Sequence, residues 1–145
     1  MKKLLIFLLI ALIGMQFVPY DVPADIADKD GEPLEVSDKA ASILKTSCFD
    51  CHSNHTKFPW YSSVAPVSWF TKMHVKTARE KMNFSIWNSY SDEKKMKYLE
   101  KIPKAVEHDK MPLESYLIIH KDAKLSDDDK AVLKDWASEA GFDLE

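Results

Sequence analysis

The chain has 145 residues, 46% of them hydrophobic, and a formal net charge of −3 at pH 7. That length suits one compact domain with an ordinary apolar core. The weakly acidic balance excludes a nucleic-acid binder, which needs a clustered positive excess.

Lys2 and Lys3 precede an apolar run from Leu4 to Met15, which resumes after Gln16 with Phe17 and Val18. A positive start and a short apolar stretch form the pattern of a secretory signal. The run falls slightly short of the roughly 20 residues that a spanning helix wants. Val22 and Ala24 are small residues suited to a cut before Asp25; the alternative is an uncleaved anchor with the two lysines on the cytoplasmic side. Either way the remainder is expected to work in the periplasm, soluble or held at the outer face of the cytoplasmic membrane.

Residues 25–36 belong to a stretch rich in Pro, Asp and Gly and read as a linker. Ser37 is a good N-cap, and Ala40, Ile43 and Leu44 follow at helical spacing, so a helix is predicted from 38 to about 50. Residues 53–63 have no period and form a loop holding Trp60 and Tyr61. Pro66 opens a second helix, with Val67, Phe70, Met73, His74 and Thr77 on one side. A connection follows over residues 83–90. Ser91 caps a third helix whose stripe is Met96, Leu99 and Ile102, and Pro103 is expected to kink or end it. Met111-Pro112 breaks the pattern again. The last helix starts at Ser126 with Asp127, Asp128 and Asp129 in its first turn, where negative charge suits the helix dipole; Gly141 is expected to stop it. No segment alternates like a strand beyond a few residues, and the fold class is all-α.

Both cysteines lie in one cluster, Cys48-Phe49-Asp50-Cys51-His52. Two thiols three residues apart can each add to one vinyl group of the same haem. The next side chain, His52, then lies under the iron and can ligate it through Nε2. Cys-x-x-Cys-His is the c-type haem attachment sequence. Attachment of that kind takes place outside the bacterial cytoplasm, so the leader and the motif support each other. A thioredoxin-type dithiol expects a βαβ setting that is absent from this pattern. A zinc site needs two further ligands, and His52 and His55 would make an unusually compact set. A disulfide within one helical turn would be strained.

For the sixth position of the iron, Met111 is the first candidate, because the break at Met111-Pro112 can present a side chain to the far face of a haem. His108 and His120 are the reserve candidates, with His55 and His74 behind them. Trp60 and Tyr61 are expected at the haem edge, where an indole N–H and a phenol O–H suit the propionates. Trp69 reads as core, and Arg79, the only arginine, as surface.

The stretches Cys48-Phe49-Asp50-Cys51-His52-Ser53-Asn54, Phe58-Pro59-Trp60-Tyr61 and Ala65-Pro66-Val67-Ser68-Trp69 resemble the bacterial haem-binding domain family of small monohaem c-type cytochromes. Asn83-Phe84-Ser85, Met111-Pro112, Tyr116, His120 and Trp136 fall where that family places similar residues. The resemblance covers roughly residues 37–140. It implies a cytochrome c-like helical domain wrapped around one covalently bound haem c, with Met111 as distal ligand. Similar sequences carry a glycine two residues before that methionine; here the position is Asp109.

The expected organisation is a leader or anchor over 1–24, a linker over 25–36 and the haem domain over 37–145. The expected function is electron transfer, not enzymatic catalysis, since two strong axial ligands leave the iron no open position. The alternative is a haem-based sensor or peroxidase-like protein whose sixth ligand is displaceable. Between positions 72 and 104 nine Lys or Arg stand against four acids, a patch suited to an acidic redox partner.

Overall fold

The computed structural model describes residues 1–22, 34 and 36–142. Seven α-helices are present among them: α1 (Lys2–Met15), α2 (Asp38–Ser47), α3 (Phe49–His52), α4 (Val67–Lys81), α5 (Asp92–Glu107), α6 (Glu114–Leu117) and α7 (Asp127–Phe142). Short 3-10 segments occupy Trp60–Ser63, Phe84–Ser89 and Lys121–Ala123, and no strand occurs among the described residues. The class is all-α, as the helical spacing predicts. Most of the 25–36 linker lies outside the described residues.

The capping residues act as their chemistry dictates. The Ala40 amide donates to the Ser37 hydroxyl (3.4 Å), which starts α2. At α7 the pairing is reciprocal. The Ser126 amide donates to the Asp129 carboxylate (2.9 Å), and the Asp129 amide donates to the Ser126 hydroxyl (3.1 Å). Two otherwise orphaned donors are thereby satisfied, an aspartate closing the box that glutamate usually closes.

The core forms where three amphipathic helices meet. Leu44 of α2 and Leu133 of α7 are wholly buried, and Leu99, Ile102 and Val106 of α5 close on them. Trp87 joins this core to the 83–90 connection: its ring centroid lies 5.9 Å from Phe84 and 6.4 Å from Trp136.

Two expectations about helix ends change. Pro103 lies inside α5, which continues to Glu107. A proline inside a helix lacks its own N–H and crowds the carbonyl a turn earlier, a local cost opposed by the burial of Ile102 and Val106 in the core. Gly141 falls within the last turn of α7 instead of stopping it.

The face of α4 also differs. Val67, Phe70 and Met73 are 47%, 51% and 45% exposed, and the residues buried on this helix are Ser68 and Val75. Helical period identifies a stripe but not the side on which the protein lies. The inner face packs closely on α3 and the 60–63 turn, where small and polar side chains fit and large ones would hold the elements apart.

The end of α5 positions the Met111 segment. After the cap at His108, Asp109 adopts a left-handed φ of 51°. The Asp109 amide donates to the Val106 carbonyl (3.2 Å) and the Lys110 amide to the Ala105 carbonyl (2.9 Å). This is the Schellman arrangement, with the left-handed residue immediately after the cap. It accounts for the glycine that similar sequences carry here: aspartate is among the few non-glycine residues that tolerate the conformation. Its carboxylate also pairs with Lys130 Nζ at 2.6 Å, which holds it below the usual carboxylate range.

Leu133→Ala is expected to cost about 3 kcal/mol, the sum of lost transfer energy and a residual cavity, read from the urea midpoint. Asp109→Gly should raise Tm and Asp109→Val should lower it, since only the second adds a Cβ branch at positive φ; the opposite order would show that the turn is not left-handed.

Candidate functional site

The motif sits where one helix ends and the next begins. The Cys48 amide donates to the Leu44 carbonyl (2.9 Å) and completes α2. The chain bends at Cys48 and restarts as α3, with the Cys51 and His52 amides donating to the Cys48 carbonyl at 3.2 and 2.9 Å. One turn therefore carries all three side chains. It closes on Ser53, whose hydroxyl donates to the Phe49 carbonyl (2.7 Å).

Neither cysteine is in a disulfide. Burial, and then the neighbouring Cys51, pushes the Cys48 thiol up to about 12. Cys51 is pushed up to about 11 by burial and by Asp50, with Arg79 pulling the other way. Both thiols stay protonated near neutrality. Burial thus works against a ready thiolate at either cysteine. No group of three or more His, Cys, Asp or Glu placed to hold a metal occurs among the described residues, so the compact zinc set finds no support.

His52 is oriented from outside its own turn. Its Nδ1 lies 3.0 Å from the Met82 carbonyl oxygen. A carbonyl only accepts, so Nδ1 carries the proton and Nε2 keeps its lone pair. Burial lowers the pKa of the imidazole below its ordinary value, against the opposing pull of the Met82 and Ala78 carbonyls, and keeps it neutral. A neutral histidine with Nδ1 bonded to backbone is the form that ligates a metal through Nε2.

The Met82 carbonyl is held by a buried amide network. Asn83 Nδ2 donates to Asn54 Oδ1 (2.7 Å), the Ser85 amide donates to Asn83 Oδ1 (2.9 Å), and the Asn54 amide donates to the Ser85 hydroxyl (2.9 Å). Asn54 and Asn83 are both buried. These bonds clamp the chain after His52 to the chain after Met82.

A second network spreads from Asp50. The Tyr116 hydroxyl donates to Asp50 Oδ2 (2.7 Å), and the Tyr116 ring stacks on His120 with centroids 4.2 Å apart and planes 7° from parallel. His120 Nε2 shares a 2.7 Å hydrogen bond with the Tyr61 hydroxyl. Burial, followed by the nearby Asp50, raises the pKa of Tyr61. Behind the motif, Arg79 Nη2 donates to Thr56 Oγ1 (2.9 Å), and that hydroxyl donates to the Asp50 carbonyl (2.7 Å). Arg79 is thus half-buried beside the motif and not a surface residue.

Of the residues singled out by sequence, Cys48, Cys51 and His52 share one turn, and Tyr61 is tied to them through His120, Tyr116 and Asp50. Trp60 is 80% exposed and Met111 38% exposed. Ile118 and Ile119, just after α6, are also exposed, at 69% and 62%. His120 is engaged by Tyr61 and Tyr116. Trp69 is half-buried and donates from Nε1 to the Val18 carbonyl (3.1 Å). Sequence reasoning missed the roles of Met82, whose carbonyl leaves no mark in a sequence, and of Asp50. The residues present fit a haem: two free thiols one turn apart, a neutral imidazole with one nitrogen available, and apolar side chains on the adjoining segments.

Asn83→Ala removes a buried donor from Asn54 and an acceptor from Ser85. A loss of about 2 kcal/mol in unfolding free energy is expected, with a changed haem environment in the absorption spectrum. Full stability and an unchanged spectrum would rule out the clamp.

The pattern of the haem-binding domain family matches residues 10–139. No curated protein and no solved structure matches the chain. The family match covers the motif, its clamp and the Met111 segment together, as the sequence resemblance implies. The chain belongs to the haem-binding domain family, and its cofactor is haem.

Proposed function

We propose that this haem-binding protein is an exported monohaem c-type cytochrome that carries electrons. Cys48 and Cys51 would attach the haem, and His52 and Met111 would hold its iron. The observation that carries the reading is the Nδ1 bond from His52 to the Met82 carbonyl, beside two cysteines outside any disulfide.

The bound haem supplies a one-electron couple, with a potential that a His/Met ligand pair raises. The chain's own residues do the rest. The Met82 carbonyl fixes the tautomer and orientation of His52 and raises its basicity. Asn54, Asn83 and Ser85 hold that carbonyl in place. Asp50, Tyr116, His120 and Tyr61 tie the segments on either side of Trp60 and Ile118 to the motif, so apolar side chains can cover the ring. The basic residues between positions 72 and 104 support docking of an acidic redox partner; Lys76, Lys81, Lys94, Lys97, Lys101 and Lys104 are exposed, the last paired with Glu100 at 2.6 Å. The leader and the motif together support a periplasmic location.

A second reading follows from the exposure of Met111 on its turn. A sixth ligand held there could be displaced, and the protein would then act as a haem sensor or a weak peroxidase.

Absorption spectra of protein matured in a host that attaches haem c separate these readings. A c-type reduced α-band and a weak far-red ferric band are expected, the second disappearing in Met111→Ala. Haem should resist acidified organic solvent in the natural chain and be extracted from the Cys48→Ala, Cys51→Ala double variant. A ferric high-spin spectrum that binds CO at once on reduction would favour the sensor reading; a colourless protein would end both.

A further inference from the structure

The apolar N-terminal helix is joined to the haem domain by specific bonds. Gln16 Nε2 donates to the Ala65 carbonyl (3.1 Å) and the Ala65 amide donates to Gln16 Oε1 (3.0 Å), so one side-chain amide pairs with both polar groups of one backbone residue. Beside it, Trp69 Nε1 donates to the Val18 carbonyl (3.1 Å), and Lys72 Nζ lies 3.5 Å from Asp21. On the N-terminal side the partners, Gln16, Val18 and Asp21, all precede position 24, after which a signal peptidase would cut. A discarded leader has no use for a matched joint with the domain it leaves. Independently, the family pattern begins at residue 10, inside the apolar run.

No residue of α1 is buried, and its apolar side chains point in every direction. A groove on a partner protein would cover one face and leave a polar one outward; an apolar surface all round fits lipid. Among the described residues no helix is long and apolar enough to cross a membrane by its own length. The 14 residues of α1 reach about 21 Å against a hydrocarbon core of about 30 Å. Lys2 and Lys3 can extend toward the far headgroups, and a short segment is met by local thinning of the bilayer. At the other end Tyr20 and Trp69 are half-buried aromatics of the kind that settle at the lipid–water boundary.

The joint also explains the outward stripe of α4. Val67, Phe70 and Met73 follow directly on Ala65, on the first turns of the helix that Gln16 and Val18 grip. Apolar side chains exposed beside an anchor meet the same bilayer.

We propose that α1 is retained as a lipid anchor and that the Gln16–Ala65 pairing seats the Val67, Phe70 and Met73 face of α4 on the bilayer surface. α4 also carries, just past its end, the Met82 carbonyl that holds His52, so the haem domain would be presented to membrane-bound partners in one orientation. This rests on the exported reading above but not on haem attachment or ligation.

The test uses the full chain, produced in a host that exports it and attaches haem c. The membrane pellet after alkaline carbonate washing should hold the protein, and intact mass should show an N-terminus at residue 1 or 2. The purified protein is then placed in vesicles of phosphatidylethanolamine and phosphatidylglycerol, with or without lipids brominated near the headgroup. Tryptophan emission should be quenched by the brominated lipid, and at least half of that quench should vanish in Trp69→Phe. A soluble chain starting at Asp25 overturns the anchor. An intact membrane-bound chain whose quench is absent, or unchanged in Trp69→Phe, overturns the seating of α4. Recovery of the intact chain in the soluble fraction as a complex with another protein or a second copy overturns lipid as the occupant. Failure of haem attachment would show in the absorption spectrum and leave the mass and quenching results readable.

Discussion

The bond from His52 Nδ1 to the Met82 carbonyl is the constraint on which the proposed haem site depends. A histidine has two nitrogens and two neutral tautomers, and a ligand must have the right nitrogen free and aimed. A backbone carbonyl decides both at once, because it accepts and cannot donate. Met82 is available because it caps the end of α4, where the last carbonyls of a helix have no partner within it. The chain then turns extended and is gripped by Asn83 and Asn54. The orientation of His52 is thus inherited from a helix terminus thirty residues away and a buried amide pair.

The polar lining of this region has a structural consequence. α4 faces α3 and the 60–63 turn with Ser68 and Val75, and the half-buried Arg79 on the same helix bonds Thr56 next to the motif. Close approach needs small side chains, so the bulky apolar residues of α4 are left on the outside. The core proper lies elsewhere, where α2, α5 and α7 meet around Leu44 and Leu133. One part of the molecule supplies stability, and another, held together mainly by hydrogen bonds, supplies the site.

Much of the fold was legible in the residues. Ser37 and Ser126 mark helix starts because capping is a local matter of a hydroxyl and a nearby amide, and Ser91 stands at the start of α5 without such a bond. The position of Asp109 was legible as a departure from glycine, and its φ of 51° gives the reason. The α4 stripe follows its helical spacing but faces outward, because a helical period gives relative, not absolute, direction. Of the two outcomes expected at Pro103, a kink or an end, the end does not occur, because a helix whose next turn is buried can absorb one missing donor.

The all-α class, the placement of two thiols and an imidazole on one turn, and the charge and apolarity of the N-terminal segment are all readable from the order of residues alone. Each of these depends on neighbours a few residues apart. Only the tertiary structure decided which nitrogen of His52 is free, that Asp50 binds Tyr116, that Tyr61 meets His120, and that Gln16 grips Ala65. Those pairs are separated by 30 to 66 residues. A hydrogen bond between distant groups exists only once packing has brought their elements together, and no local pattern records which elements will meet.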